Sequence, residues 1–209
     1  MTAHAVLLAT SNPHKLEEVR AILAVADIAV VGLDTLGSVP PEPVEDATTF
    51  QGNARIKAVA YATATGRRCL ADDSGLEVDA LDGAPGVHSA RYAGLGETRD
   101  QRDQANNEKL ITAMKKIPEQ ERAARFVCCL CVADPNGDVI MECRGTLEGR
   151  IGHELRGTNG FGYDPLFVLP EGLTSAELSS KEKNARSHRS EALRVLMQDL
   201  PKLMLHSGR

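Results

Sequence analysis

The apolar positions of this chain switch between two periods, and the switches mark its elements. Residues 5–10, AVLLAT, form an unbroken apolar run of strand length. In SNPHKLEEVRAIL, Leu16, Val19, Ile22 and Leu23 fall at helical spacing, which predicts a helix capped by Asn12 with Pro13 as its first residue. IAVVGL at 28–33 predicts a second strand. The Pro- and Glu-rich segment 37–47 cannot be a central element and reads as a surface loop. A helix is expected from near Thr49, with Phe50, Ala54, Ala58, Tyr61 and Ala62 as its apolar stripe. RRCLADD then predicts a third strand ending on Asp72 and Asp73, followed by a glycine-bearing loop over 76–94.

The second half is organised differently. Residues 100–117 predict a helix that buries Leu110, Ile111, Met114 and Ile117. Strands at 125–133 and 139–145 flank DPNGD, where Asn136-Gly137 signals a hairpin, and 147–155 reads as a short strand and loop. Thr174 and Glu177 have capping-box spacing before a short helix. SKEKNARSHRSEALRVLMQDL predicts one amphipathic helix using Ala192, Leu193, Leu196, Met197 and Leu200. Strand–helix alternation with a hairpin inserted later predicts one mixed α/β domain of two lobes, with its site in a cleft between them. The pattern does not mark where one lobe ends.

Composition narrows the function classes. The 24 basic and 29 acidic side chains give a net charge of −5 over 209 residues, which argues against a general nucleic-acid binder but permits a local basic pocket. No run approaches a membrane span and the start lacks a secretion signal, so a cytoplasmic protein without a membrane or stable nucleic-acid partner is expected. The 5 cysteines are odd in number and lack a C-x-x-C pair, and alternation through FVCCLCVA splits them between two faces. They read as small buried strand residues rather than metal ligands.

Candidate chemistry gathers where the third strand is expected to end. Asp72 and Asp73, followed by Ser74 and Gly75, can hold a hard cation, position a water, or cap a turn. At the first helix, free N–H groups beside Ser11 and Asn12, with Lys15 one turn in, suit a phosphate or a plain cap. Asn53 and Lys57 share a helix face, though a lysine there also reads as a snorkelling surface residue. In GTNGFGYDPLFVL the glycines leave room for close approach, and Phe161 and Tyr163 offer rings to a flat ligand. Lys181, Lys183, Arg186, His188 and Arg189 crowd a helix start, where cations are disfavoured, so an anionic or polar partner is expected. Cations and carboxylates scattered in this way match the needs of a magnesium-bridged polyphosphate, and the aromatic loop adds a stacking platform.

Five blocks carry a resemblance: SNPHK at 11–15, TFQGNARIKA at 49–58, ADDSGLEVDALDGAPGVHSARYAG at 71–94, GTNGFGYDPLF at 157–167 and SHR at 187–189. In order and spacing they resemble the inosine/xanthosine triphosphate pyrophosphatase family. The resemblance implies a mixed, twisted β-sheet flanked by helices in an elongated two-lobed fold, with the active site in the central cleft. It also implies a homodimer and magnesium-dependent hydrolysis of ITP, dITP and XTP at the α-phosphorus, which removes deaminated purines from the nucleotide pool. Asp73 matches the family's proton acceptor and, with Glu45, its metal site; Asp72 matches an acidic position near the cation and counts with the catalytic residues, the alternative being that it orients Asp73 and the surrounding shell. Thr10, Ser11, Asn12, Lys15, Asn53 and Lys57 match phosphate-binding positions, with Lys15 and Lys57 also catalytic. Ser74 matches a substrate-contacting hydroxyl. The run Phe161, Gly162, Tyr163 and Asp164 matches the nucleotide-contacting segment, Phe161 being the stacking ring. Lys183, Ser187, His188 and Arg189 match the group that reads the base.

The implied specificity is chemically consistent. Lys and Arg donate hydrogen bonds and accept none, so they favour the O6 of hypoxanthine and xanthine over the amine of adenine. A bound divalent cation favours an ionised Asp73, ready to take a proton at neutral pH. Two positions depart from the family pattern: Gly52 stands where relatives often carry an acidic residue, and Tyr163 stands where some carry tryptophan. Two alternatives are a related-fold pyrophosphatase for pyrimidine or modified nucleotides, and a non-catalytic nucleotide sensor.

Overall fold

In this computed structural model, which describes residues 5–199, β1 (Val6–Leu8) is parallel to β2 (Val30–Gly32) on one side and to β3 (Cys69–Val78) on the other. Parallel neighbours need crossovers, which α1 (Pro13–Leu23) and α2 (Phe50–Thr65) supply. The sheet continues through β4 (Ala123–Ala133) and β5 (Val139–Ile151) to β6 (Phe167–Val168), in the order β2-β1-β3-β4-β5-β6. Because β6 runs antiparallel to β5, the sheet is mixed, as expected of this α/β chain. The remaining α-helices are α3 (Arg99–Met114), α4 (Ser180–Arg186) and α5 (His188–Gln198). Among the described residues no helix is long and apolar enough to cross a membrane.

The chain divides into two compact units, and the divisions fall within β3, β4 and β5 and at the α4–α5 junction. The first comprises residues up to Asp73, Cys128–Gly145 and the chain from His188. Its core joins Leu8, Leu70, Cys128 and Leu130 of the strands to Val19 and Leu23 of α1 and Leu193 of α5. The second comprises Ser74–Val127 and Thr146–Ser187, and its core joins Leu76, Val78, Phe126 and Phe167 to Leu110 and Met114 of α3. All 5 cysteines are free thiols and buried, as their strand positions predict.

Three elements differ from the sequence expectation. β3 does not stop at the acidic pair but runs on to Val78, so Asp72 and Asp73 lie mid-strand. Leu76 and Val78 keep the two-residue period and are fully buried. Ser89 packs where a Cβ on Gly75 would stand, and its Oγ accepts the Leu76 N–H at 2.9 Å. β5 is one continuous strand, because its glycines admit close neighbours instead of ending it. A Cβ on Gly145 would lie 2.3 Å from the His188 carbonyl oxygen, and one on Gly149 2.6 Å from that of Val168. The terminal helix is two helices, broken where Ser187 is extended at φ −70°, ψ 159°. Leu200, placed by pattern on the apolar face, lies outside the described residues.

Arg122 ties the second unit together. It is 2% exposed, and its guanidinium donates to the carbonyls of Ile151 (2.7 Å), Gly152 (2.7 Å), Met114 (2.8 Å) and Ile117 (3.2 Å). One side chain thereby satisfies the end of α3 and the end of β5. Arg122→Met is expected to lower the unfolding free energy by about 3 kcal/mol, since it leaves buried carbonyls without donors. Urea denaturation checks this, and an unchanged midpoint and slope would contradict it.

Candidate functional site

The strand period decides the site. Consecutive residues of β3 face opposite ways, so Asp72 and Asp73 enter different surroundings. Asp72 is 2% exposed, with Lys15 Nζ 2.7 Å from Oδ1, while Arg189 Nε donates to Oδ2 at 3.0 Å. The Cys128 thiol also donates to Oδ2, at 3.7 Å. Arg189 reaches further, to Glu18 of α1, and is itself fully buried. Burial alone would raise the Asp72 pKa, but Lys15 and Arg189 outweigh it and hold the carboxyl well below the usual range. The Arg189 guanidinium is likewise more firmly charged: burial opposes its charge, and Asp72 and Glu18 overcome that.

Asp73 faces the other set. Lys57 Nζ lies 3.3 Å from its Oδ1 and 3.0 Å from Glu45 Oε2, so one ammonium bridges both carboxylates. Asn53 Nδ2 donates to Asp73 Oδ2 at 3.3 Å, and Asn53 Oδ1 accepts the Ala47 N–H at 3.0 Å. Asn53 thereby fastens the loop that carries Glu45 to the strand that carries Asp73. Burial raises the Asp73 pKa, Glu45 and Asp72 add to the rise, and Lys57 and Lys15 oppose it. Lys57 is raised too: burial lowers it, but Asp73, Asp72 and Glu45 together prevail. A Cβ on Gly52 would lie 2.6 Å from that of Ala47, so a side chain at this position requires the Ala47 segment to shift.

Among the described residues no group of three or more His, Cys, Asp or Glu side chains could cage a metal. Glu45 and Asp73 nevertheless converge on a single cation, Lys57 Nζ. Two hard oxygen donors that converge in this way fit magnesium, which takes most of its six ligands from waters and substrate phosphates.

At the start of α1 the expected cap is present. Asn12 Oδ1 accepts the His14 N–H at 3.0 Å, Pro13 opens the helix, and Thr10 Oγ1 accepts the Asn12 N–H at 3.1 Å. Asn12 is buried and occupied as a cap, whereas Ser11 is exposed at the turn. The helix N-terminus with Lys15 one turn in can take an anion. Ser74 follows Asp73 in β3 and is half-buried.

In the second unit the loop 157–164 holds a half-buried Phe161 beneath Lys183, whose Nζ is 4.7 Å from the ring centroid. Asp164 accepts from Lys183 Nζ at 2.7 Å and from the Phe161 N–H at 2.9 Å. Gly160 makes this possible, since a Cβ there would lie 2.1 Å from Asp164 Oδ2. Three expected binding residues are buried and hold partners within the protein. Tyr163 is a core residue rather than a ligand wall: it is 4% exposed and its hydroxyl donates to the Ser89 carbonyl at 2.9 Å. Asp164 is buried and holds Phe161 and Lys183. Arg189 is held by Asp72 and Glu18, so the anionic partner expected of the 181–189 cluster is the protein's own carboxylates. Ser187 and His188 are also buried, and the Ser187 N–H closes α4 on the Lys183 carbonyl at 2.9 Å.

Sequence reasoning missed Glu18, Asp103 and Asn107. Glu18 lies one turn beyond Lys15 on α1, a spacing that could have flagged it. Asp103 Oδ2 accepts the Gly162 N–H and Asn107 Nδ2 donates to the Gly162 carbonyl, each at 2.8 Å. The polar front half of α3 was their only signal.

Known proteins provide close parallels. The model of the Ham1 family matches residues 6–199. A dITP/XTP pyrophosphatase of Corynebacterium efficiens is 49% identical over 206 residues, covering 94% of this chain and 97% of that protein. One from Anaeromyxobacter dehalogenans is 45% identical over 228 residues, covering 94% and 97%. Among solved structures, a HAM1 protein from Coxiella burnetii is similar at a TM-score of 0.83 and 40% identity, covering 95% of this chain and 98% of that one.

Asp72→Asn is expected to lower the unfolding free energy at pH 7 by about 3 kcal/mol, because Lys15 and Arg189 lose their countercharge. The folded pKa of Asp72 lies below its unfolded value of about 3.9, so its contribution is complete above that pH and is lost as pH falls below it. The gap between the native protein and the variant should therefore narrow below about pH 4. Denaturant titrations at pH 7 and at lower pH check this, and a gap constant with pH would contradict it.

Proposed function

The chain belongs to the Ham1 family, and on that premise we propose that it hydrolyses dITP, ITP and XTP to the monophosphate and pyrophosphate. The observation that carries the reading is the unequal setting of two adjacent carboxylates. Asp72 is locked in ion pairs with Lys15 and Arg189, while Asp73 shares Lys57 with Glu45. Asp72 is thus a weak base that sets its neighbours, and Asp73 is the stronger base of the two.

In the reaction, water oxygen forms a bond to the α-phosphorus and Asp73 takes its proton. The bond from the α-phosphorus to the α,β-bridging oxygen breaks, and pyrophosphate leaves with the electron pair. Lys15, Lys57 and the N-terminus of α1 offset charge on the phosphate oxygens. Glu45 and Asp73 are the residues that would hold magnesium, which would supply charge neutralisation at the phosphates and a more acidic water. Lys57 and Lys15 oppose the burial and like-charge effects that raise Asp73.

Phe161 stacks on the purine, and Lys183, fixed by Asp164, donates to O6. A lysine has no acceptor for the 6-amine of adenine, so ATP leaves a donor facing a donor. The role is removal of deaminated purine nucleotides before polymerases use them. The same reading carries a cytoplasmic homodimer, which sedimentation of the native protein would test.

Pyrophosphate and monophosphate release from ITP, dITP, XTP, ATP, GTP and dTTP, with magnesium and with chelator, tests the reading. Metal-dependent cleavage of the first three is expected, and Asp73→Asn should lower kcat by about a hundredfold or more. Glu45→Gln should weaken magnesium's protection of the protein against thermal unfolding. Preference for dTTP, or tight ITP binding without release in the native protein, would overturn it.

A further inference from the structure

The loop that carries Phe161 is positioned from outside itself. Asp103 and Asn107 stand four residues apart on α3 and so share a face, and that face meets Gly162. Gly162 has no side chain and a φ of 63°, so its N–H and carbonyl are its only handles, and both are taken. Both amide hydrogens of Asn107 are used, one on the Gly162 carbonyl and one on the Asp103 carbonyl at 2.8 Å. On the other flank, the Asn159 N–H donates to the Ala176 carbonyl at 3.0 Å and its Nδ2 to the Leu178 carbonyl at 2.9 Å. Between these anchors lie Gly160 and Phe161, whose own N–H donates to Asp164 Oδ2 at 2.9 Å.

Any acceptor could satisfy one N–H. Here the acceptor is a carboxylate, and burial raises its pKa, a cost that a neutral side chain would avoid. A charge-assisted bond is shorter and stiffer than a neutral one, and it fixes the peptide that follows Phe161. From this arrangement we propose that Asp103 is a positioning residue for purine recognition, setting through Gly162 where the Phe161 ring stands. The proposal rests on the reading of Phe161 as the platform for the base.

Stacking on the base is present before and during the chemical step, so its loss raises KM and leaves kcat alone. Asp103→Leu removes the acceptor and should raise KM for dITP about tenfold, the effect of losing most of one base–aromatic stack. Asp103→Asn keeps an acceptor oxygen and should recover most of that loss. In a Phe161→Ala background, Asp103→Leu should add little, because the ring it positions is gone. A fall in kcat with KM unchanged, or effects that add in full, would overturn the proposal. If Phe161→Ala alone left KM unchanged, the platform reading itself would fall, and the proposal with it. Should thermal melting show that Asp103→Leu does not fold, Asn107→Ala replaces it. That variant removes the grip on the Gly162 carbonyl together with the bond to the Asp103 carbonyl, leaves the Asp103 carboxylate in place, and should raise KM at least about twofold at constant kcat, because stacking energy falls as the ring shifts. An unchanged KM there overturns the proposal.

Discussion

Two neighbouring residues of a β-strand cannot face the same way, and the chemistry of this protein depends on that constraint. Asp72 and Asp73 are adjacent in β3 and chemically identical, yet the first has its carboxyl pKa lowered and the second raised. The difference comes from what each face meets. Asp72 meets Lys15 and Arg189 in full burial, and Asp73 meets one lysine that it shares with Glu45. Like charge still acts between them, since Asp72 adds to the rise of Asp73. Continuing β3 to Val78 anchors the pair from both sides.

The Asp72 ion pair also sets how the first unit is assembled. A buried pair is costly to desolvate, and breaking it costs more than forming it returns. Glu18 of α1, Asp72 of β3 and Arg189 of α5 are joined by one guanidinium, so a helix from each end of the chain is tied to the central strand. Lys15, on the same helix as Glu18, receives its position from the same network. Lys15 is therefore held by the same carboxylate that holds Arg189. Asn53 repeats the device on the other face, where one amide joins the Glu45 loop to Asp73.

Local signals in the sequence were legible where the physics is local. The Asn12 cap, the Thr49 start of α2, the Asn136-Gly137 turn and the Thr174–Glu177 capping box all depend on neighbours within a few residues, and all are present. The site residues were legible as types and blocks, but their partners were not. Arg189 pairs with Asp72 across 117 positions and Glu18 across 171, and Asp103 meets Gly162 across 59. Periodicity cannot report such pairs. The glycines misled for a related reason. Gly75, Gly145 and Gly149 look like strand breakers in isolation, but each makes room for a neighbour distant in sequence. The burial of Tyr163 was not legible either, because its hydroxyl partner, the Ser89 carbonyl, lies far away in sequence.

The central claim, that one strand shifts two adjacent aspartates in opposite directions, can be measured directly. A carbon-detected NMR titration of the side-chain carboxyls in the metal-free protein, assigned with Asp72→Asn and Asp73→Asn, would resolve the two groups. Asp72 should remain ionised to well below the ordinary value of about 3.9, and Asp73 should take its proton above it. Equal titration near that value, or the reverse order, would contradict the division between a holding and an acting carboxylate.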